Sequence, residues 1–255
     1  MPRLTDQHAI RAILLRDPAW SVYALGDLAP PMFPKTQWFA PDLTLVLHDF
    51  GTNILFAIGT GSVREALDHV TWPVHLQVQG DALDEVSRHA HVQDTRLMWR
   101  MRSQGSVPRD LSSPAVRLSA NDVPDLRALF ADGEATGEAP DFFYSSMVSD
   151  GVFYGVREGG VLVAAAGTHL HSPEEGVAAI GNVYTRRDRR GRGLGRCVTG
   201  AVLAELAGFE TVGLNVRADN HSALHLYETL GFERYCQFYE GLATGPRNGS
   251  LADGV

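Results

Sequence analysis

Between residues 186 and 196 the chain carries six arginines, Arg186, Arg187, Arg189, Arg190, Arg192 and Arg196, with glycines at Gly191, Gly193 and Gly195. Those residue types suit a small polyanion. Glycines lack Cβ atoms, so the backbone can turn tightly and approach a ligand closely. Arginines at 190, 192 and 196 can add charge-assisted bonds to phosphate. An apolar stripe of Leu194, Val198, Ala201, Val202 and Leu206 predicts a helix running to about Ala207, with Gly208 at its stop. The first turn of such a helix leaves N–H groups without partners, and its dipole favours an anion. Together these features describe a pyrophosphate cradle. On this motif alone, a solvated arginine-rich loop or a loop that needs positive φ accounts for the same residues. The Walker pattern is absent because no Gly-Lys-Ser/Thr follows. A Rossmann turn fits poorly because hairpins, not crossover helices, join the preceding strands.

Other residues with possible chemistry carry weaker patterns. Glu174 and Glu175 lie in an expected hairpin turn, where solvation explains them. His169 and His171 share one face of a strand, and one of them could line a ligand site. His221 and His225 have metal-compatible i, i+4 spacing, but no third ligand accompanies them. The two cysteines, Cys197 and Cys236, match no metal spacing and form no disulfide framework. No metal is expected.

The elements around the turn follow from periodicity and punctuation. A strand at Ala115–Leu118 precedes a helix over Val123–Asp132, capped by Ser119 or Asn121. A loop at 133–141 and a short helix at Phe142–Val148 follow. Strands at Val152–Val156, Val161–Leu170 and Val177–Thr185 are separated by the turns Glu158-Gly159-Gly160 and Ser172–Gly176. After the glycine turn and its helix come a strand at Thr211–Val216, a helix at Ser222–Leu230 and a strand at Glu233–Tyr239. The order β–α–α–β–β–β–α–β–α–β predicts an α/β fold of the α+β type, with a mixed, largely antiparallel sheet.

The first half has a fainter version of this order. It comprises helices at Asp6–Leu15 and Trp20–Leu28, strands at Leu43–His48 and Ile54–Ile58, and a helix at Val63–Val70 boxed by Ser62 and Glu65. A strand at Val74–Val78, a helix at Ala82–His89 and a strand at Thr95–Met101 complete it. The parallel suggests a diverged internal repeat. The expected division is 1–102 for the N-terminal domain, 103–114 for a Ser/Pro linker, 115–240 for the second domain and 241–255 for a flexible tail.

Composition sets outer limits. The chain has 255 residues, 44% hydrophobic and 20% charged, which is ordinary for a globular protein. A net charge of −8 argues against a general nucleic-acid binder. The longest apolar run is strand-length, so no membrane partner is expected. Polar residues in MPRLTDQHAIRAILLRD occupy the place of a signal peptide's apolar stretch, and the chain reads as cytoplasmic.

Two blocks carry a family resemblance. Ile180-Gly181-Asn182-Val183-Tyr184-Thr185, followed by R-x-x-G-x-G at Arg190, Gly193 and Gly195, resembles the coenzyme A motif of the GNAT superfamily of N-acetyltransferases. Leu214–Asn220, running on into Ala223, Leu226, Tyr227, Leu230, Gly231 and Phe232, is similar to the same family's next strand and helix. The match covers roughly residues 115–240. With its degenerate, GNAT-like first half, the whole chain resembles two-part members akin to the glycine N-acyltransferase-like branch. That half has only Gly59-Thr60-Gly61-Ser62 at the corresponding turn, without the arginine, which implies no CoA binding there.

The resemblance implies an acyl-CoA-dependent N-acyltransferase that moves acetyl from acetyl-CoA to a primary amine by direct attack. The backbone of Val183, Tyr184 and Thr185 would pair with the pantetheine arm like an added strand. Amides from Arg190, Gly191, Arg192, Gly193, Leu194, Gly195 and Arg196 would hold the pyrophosphate, and Asn220 would contact the arm. Tyr227 would protonate or position the departing thiolate; as a residue of the stripe Ala223, Leu226, Tyr227 and Leu230 it could equally be core. Some members carry a glutamate at the position of Asn215, which cannot accept a proton in that role. A non-catalytic acyl-CoA-binding regulatory module is therefore the alternative. The acceptor, a small-molecule or peptide amine, would lie near 133–148 and 167–182, with Phe142, Phe143 and Tyr144 as candidate walls. Oligomeric state has no signal in the sequence.

Overall fold

The structure is a computed structural model that describes residues 3–48, 52–105, 114–140 and 142–247. The chain divides into two compact units. One comprises residues 1–99, 217–219 and 236–255, the other 100–216 and 220–235.

The first unit begins with β1 (Arg3–Leu4), α1 (Gln7–Leu14) and α2 (Val22–Gly26). Asp6 caps α1 by accepting the N–H groups of His8 and Ala9, and Ile10 and Leu14 present the buried stripe of the helix. Next come β2 (Thr36–Phe39), β3 (Leu43–Leu47), β4 (Ile54–Ile58), α3 (Val63–Leu67), β5 (Val74–Val78), α4 (Gly80–His89) and β6 (Ala90–Ser103). The antiparallel run β1–β2–β3–β4 ends in a parallel β4–β5 pair. Phe39, Val46, Leu55, Val63, Leu76 and Val86 form its core beneath α3 and α4. Two expectations change here. β2 was not foreseen. Ser62 does not box α3: its hydroxyl lies 2.8 Å from that of Thr44 across the buried interior, and the helix is five residues long.

The second unit repeats the order. It contains β7 (Val116–Arg117), α5 (Val123–Glu134), α6 (Ser145–Asp150), β8 (Phe153–Glu158), β9 (Val161–Ser172), β10 (Val177–Thr185), α7 (Leu194–Glu205), β11 (Thr211–Arg217), α8 (His221–Thr229) and β12 (Phe232–Pro246). A capping box between Ser119 and Asp122 starts the turn that leads into α5. β7 to β10 pair antiparallel in sequence, and β10 then pairs parallel with β11. The fold class expected from the sequence is the one observed, a mixed and mostly antiparallel sheet flanked by helices. Each series of ten elements follows the same order, β–α–α–β–β–β–α–β–α–β.

The C-terminal segment departs from expectation. Gly241–Pro246, assigned from sequence to a flexible tail, continue β12. Tyr239 to Ala243 pair antiparallel with Val78 to Val74, so this stretch completes the sheet of the first unit. Its neighbours lie some 165 residues away in sequence, and weak apolar periodicity gave no hint of them. Ala243 is fully buried and Phe238 packs on Trp20. Of the expected linker, residues 106–113 lie outside the described residues, as does the tail beyond residue 247.

Candidate active site

The parallel pair β10–β11 is in register from Val177↔Thr211 to Ile180↔Leu214, and there the pairing stops. β10 runs on to Thr185 and β11 to Arg217. Residues 181–185 therefore present one edge of β10 that β11 does not cover. A strand edge without its neighbour offers N–H and C=O groups to an extended ligand. The backbones of Val183, Tyr184 and Thr185 lie on this edge. The Tyr184 side chain points into the core, edge-on to Phe130 at 6.3 Å, and its hydroxyl donates to Asp132 Oδ2 at 2.9 Å. Burial and the Asp132 carboxylate push the Tyr184 phenol above its ordinary range.

The glycine turn follows immediately. Gly191 and Gly193 both have φ of +75°, a conformation that costs other L-residues about 1–2 kcal/mol, and the space where their Cβ atoms would lie is open. Gly193 is the N-cap of α7, and the bond from Cys197 N–H to Gly193 C=O, 3.0 Å, lies at the start of the helical ladder. The amides of Leu194, Gly195 and Arg196 precede it. A Cβ on Gly195 would lie 3.0 Å from Leu226 Cδ1, so its absence lets α8 approach the start of α7. The turn thus combines open space at Gly191 and Gly193 with first-turn amides that have no partner within the helix and with the positive end of the helix dipole.

The arginines are less free than the sequence suggests. Arg186 and Arg189 both pair with Asp188 at 2.6 Å, and Arg189 also reaches Glu158 at 2.7 Å. These partners lower the Asp188 carboxyl to about 2, chiefly through the hydrogen bond from Arg186. Arg187 N–H donates to Asp132 at 3.0 Å, the main reason that carboxyl lies below its usual range. Arg190 donates to the Thr185 carbonyl and to Glu138 Oε1 at 2.8 Å, and its guanidinium lies 5.6 Å from the Tyr184 ring. Arg192 is exposed and only 3.8 Å from Glu158, and Arg196 is exposed. Four carboxylates, Asp132, Glu138, Glu158 and Asp188, thus offset much of the cluster's charge. Sequence reading missed Asp132 and Glu138, which reach the turn from α5 and the loop after it.

The remaining candidates fall into place around this core. Asn220 is the N-cap of α8, with Oδ1 accepting Ala223 N–H at 3.1 Å. Tyr227, 8% exposed, lies in α8 with its ring 6.2 Å from that of Phe232. Asn215 is half-buried on β11. Phe143 packs between Phe130 and Phe153 as part of the core. His171 Nδ1 lies 3.1 Å from the Asp150 carbonyl. His169 lies over Gly181, where a Cβ would meet its ring at 2.4 Å. Among the described residues no three His, Cys, Asp or Glu side chains form a metal-sized group. A shallow hollow lined by Ser103, Leu203, Leu206 and Phe209 lies toward the opposite end of α7 from the turn.

Residues 123–232 match the model of the acetyltransferase (GNAT) family. Over 73 residues the chain is 47% identical to mycothiol acetyltransferase of Rhodococcus jostii, a match covering 27% of this chain and 24% of that protein. The match thus spans about a quarter of that relative's length. A crystal structure assigned to the GNAT acetyltransferases, from Novosphingobium aromaticivorans, is 26% identical with a TM-score of 0.64, and the superposition covers 88% of this chain and 96% of that one. The structure of a GCN5-related N-acetyltransferase from Kribbella flavida, 19% identical over 97% and 98% of the two chains with a TM-score of 0.55, shares the fold.

Proposed function

We propose, on the premise that residues 123–232 are an acetyltransferase domain of the GNAT family, that this chain transfers acetyl from acetyl-CoA to a primary amine. The observation that carries this reading is the end of β10–β11 pairing at Ile180 and Leu214, directly ahead of the open glycine turn. One extended arm with a phosphate at its end fits both features together. The identity with mycothiol acetyltransferase supports acetyl as the transferred group. The ten-element repeat supports a place among two-part members akin to the glycine N-acyltransferase-like branch.

In this reading the amides of Gly191 to Arg196 bind the diphosphate, with Arg192 and Arg196 adding charge from the exposed side. Arg190 joins them by leaving Glu138. The free edge of Val183–Thr185 holds the arm, and Asn220, whose oxygen caps α8, offers its NH₂ group to it. Acetyl-CoA supplies an activated thioester carbonyl. Attack by a neutral amine forms the C–N bond and breaks the C–S bond, and Tyr227 donates the proton that the departing sulfur requires. The amine's own proton leaves through solvent-linked groups, since the amides of Asn182 and Asn215 do not accept one.

The test is acceptor-dependent release of free thiol from acetyl-CoA, measured with glycine, spermidine, glucosamine and a serine-initiated tripeptide. Release that depends on at least one amine, with the acetylated amine identified by mass, is the expected result. Tight CoA binding without acceptor-dependent release by any amine would instead mark the chain as an acyl-CoA-binding module.

A further inference from the structure

Asn182 is an anomaly within β10. Its φ is +51°, in the left-handed region, and it sits in a register irregularity between the pairs Gly181↔Gly167 and Tyr184↔Ala165. Its side chain is buried, 3% exposed, and its Nδ2 lies 3.5 Å from Met147 Sδ on α6, a weak acceptor. Its Oδ1 is buried with no hydrogen-bond partner. Asparagine tolerates left-handed backbone because its side chain can bond the local backbone. Here it makes no such bond. Glycine would adopt this φ at lower cost and leave no orphaned oxygen, so conformation alone does not account for the residue. Asn182 stands two positions beyond Ile180, the last residue of β10 paired with β11, where the strands part.

We propose that Asn182 is an acceptor-binding residue: its Oδ1 receives an N–H of the incoming primary amine and turns the nitrogen lone pair toward the thioester carbonyl. This rests on the acetyltransferase reading above. The carboxamide cannot take the amine's proton, so its contribution is binding and orientation. Met147 on α6, beside the Asn182 carboxamide, is then an apolar wall of the acceptor side of the site.

The test uses Asn182→Gly, which keeps the backbone conformation accessible and removes only the carboxamide. The probe amine is whichever of glycine, spermidine, glucosamine or the tripeptide the wild-type protein acetylates fastest. The acceptor KM is expected to rise about ten-fold or more, with acetyl-CoA affinity within two-fold of wild type and thermal stability unchanged or higher. On the wild-type protein, the Asn182 carboxamide resonances should shift when that amine saturates the enzyme, a readout independent of how the variant folds. An acceptor KM within two-fold of wild type, or carboxamide resonances that ignore the amine, overturns the proposal while leaving the acetyltransferase reading intact. No turnover by wild type with any of the four amines overturns both.

Discussion

A departing thiolate needs a proton or a close donor, and among the residues here the phenol of Tyr227 is placed in the helix that packs on the start of α7. Its ring is held by burial and by Phe232, so the hydroxyl is the part that phenylalanine removes. Tyr227→Phe is expected to lower kcat roughly a hundred-fold, the lower end of what a positioned acid contributes. Acetyl-CoA affinity should stay within two-fold, because neither the turn nor the β10 edge changes. A variant that folds and keeps full turnover would reduce Tyr227 to a core residue.

Arg190 ties the turn at 190–196 to the loop after α5. Glu138 holds Arg190, and that hydrogen bond keeps the Glu138 carboxyl below its usual range. A phosphate at the turn would compete with this carboxylate for the guanidinium. Glu138→Gln is therefore expected to tighten acetyl-CoA about two- to five-fold, the span an exposed ion pair carries; isothermal titration of both proteins reads it directly. Weaker binding by the variant would show that Glu138 helps rather than competes. The glycine spacing, the helix stripe and the strand order near this turn were legible in the sequence, because each depends on neighbours within a few residues. Glu138 was not, since the contact joins residues 52 apart. Asn182 was visible as part of a motif, but its left-handed φ and orphaned oxygen arise only once β9 and β10 slip out of register. The end of β12 was hidden for the same reason: its partner strand, β5, belongs to the other half of the sequence.

At the scale of the whole chain, the two repeats differ where an anion would bind. In the first unit, Gly61 N–H donates to Asp42 Oδ2 at 2.8 Å, so the turn after β4 already holds a carboxylate, and α3 behind it is a single short helix. On the proposed function, one acetyl-CoA site per chain is therefore expected, at the turn of the second series of elements and not at that of the first. The first unit also contains Asp27, at the end of α2, whose carboxyl is pushed up to about 7 by burial. A carboxylic acid raised in the folded state binds its proton more tightly there than when unfolded. Stability is therefore lost as pH rises from about 3.8 through about 7. Asp27 retains partial exposure, which limits the size of the effect. Asp27→Asn should match wild type near pH 4 and gain about 1–2 kcal/mol on it by pH 8, seen in chemical denaturation at both pH values. An advantage that is constant with pH would contradict the raised carboxyl.

The proposed function requires the amides between Gly191 and Arg196 to face a diphosphate beside an open strand edge. Calorimetric titration of the folded chain with acetyl-CoA and with free CoA measures this most directly. Saturable binding is predicted with a Kd between about 1 μM and 1 mM, one ligand per chain, and loss of most of that affinity when Gly193→Ala strains the left-handed backbone that shapes the turn. Absence of heat with either ligand across that range would contradict the account, and two equivalent sites would contradict the role given to Asp42.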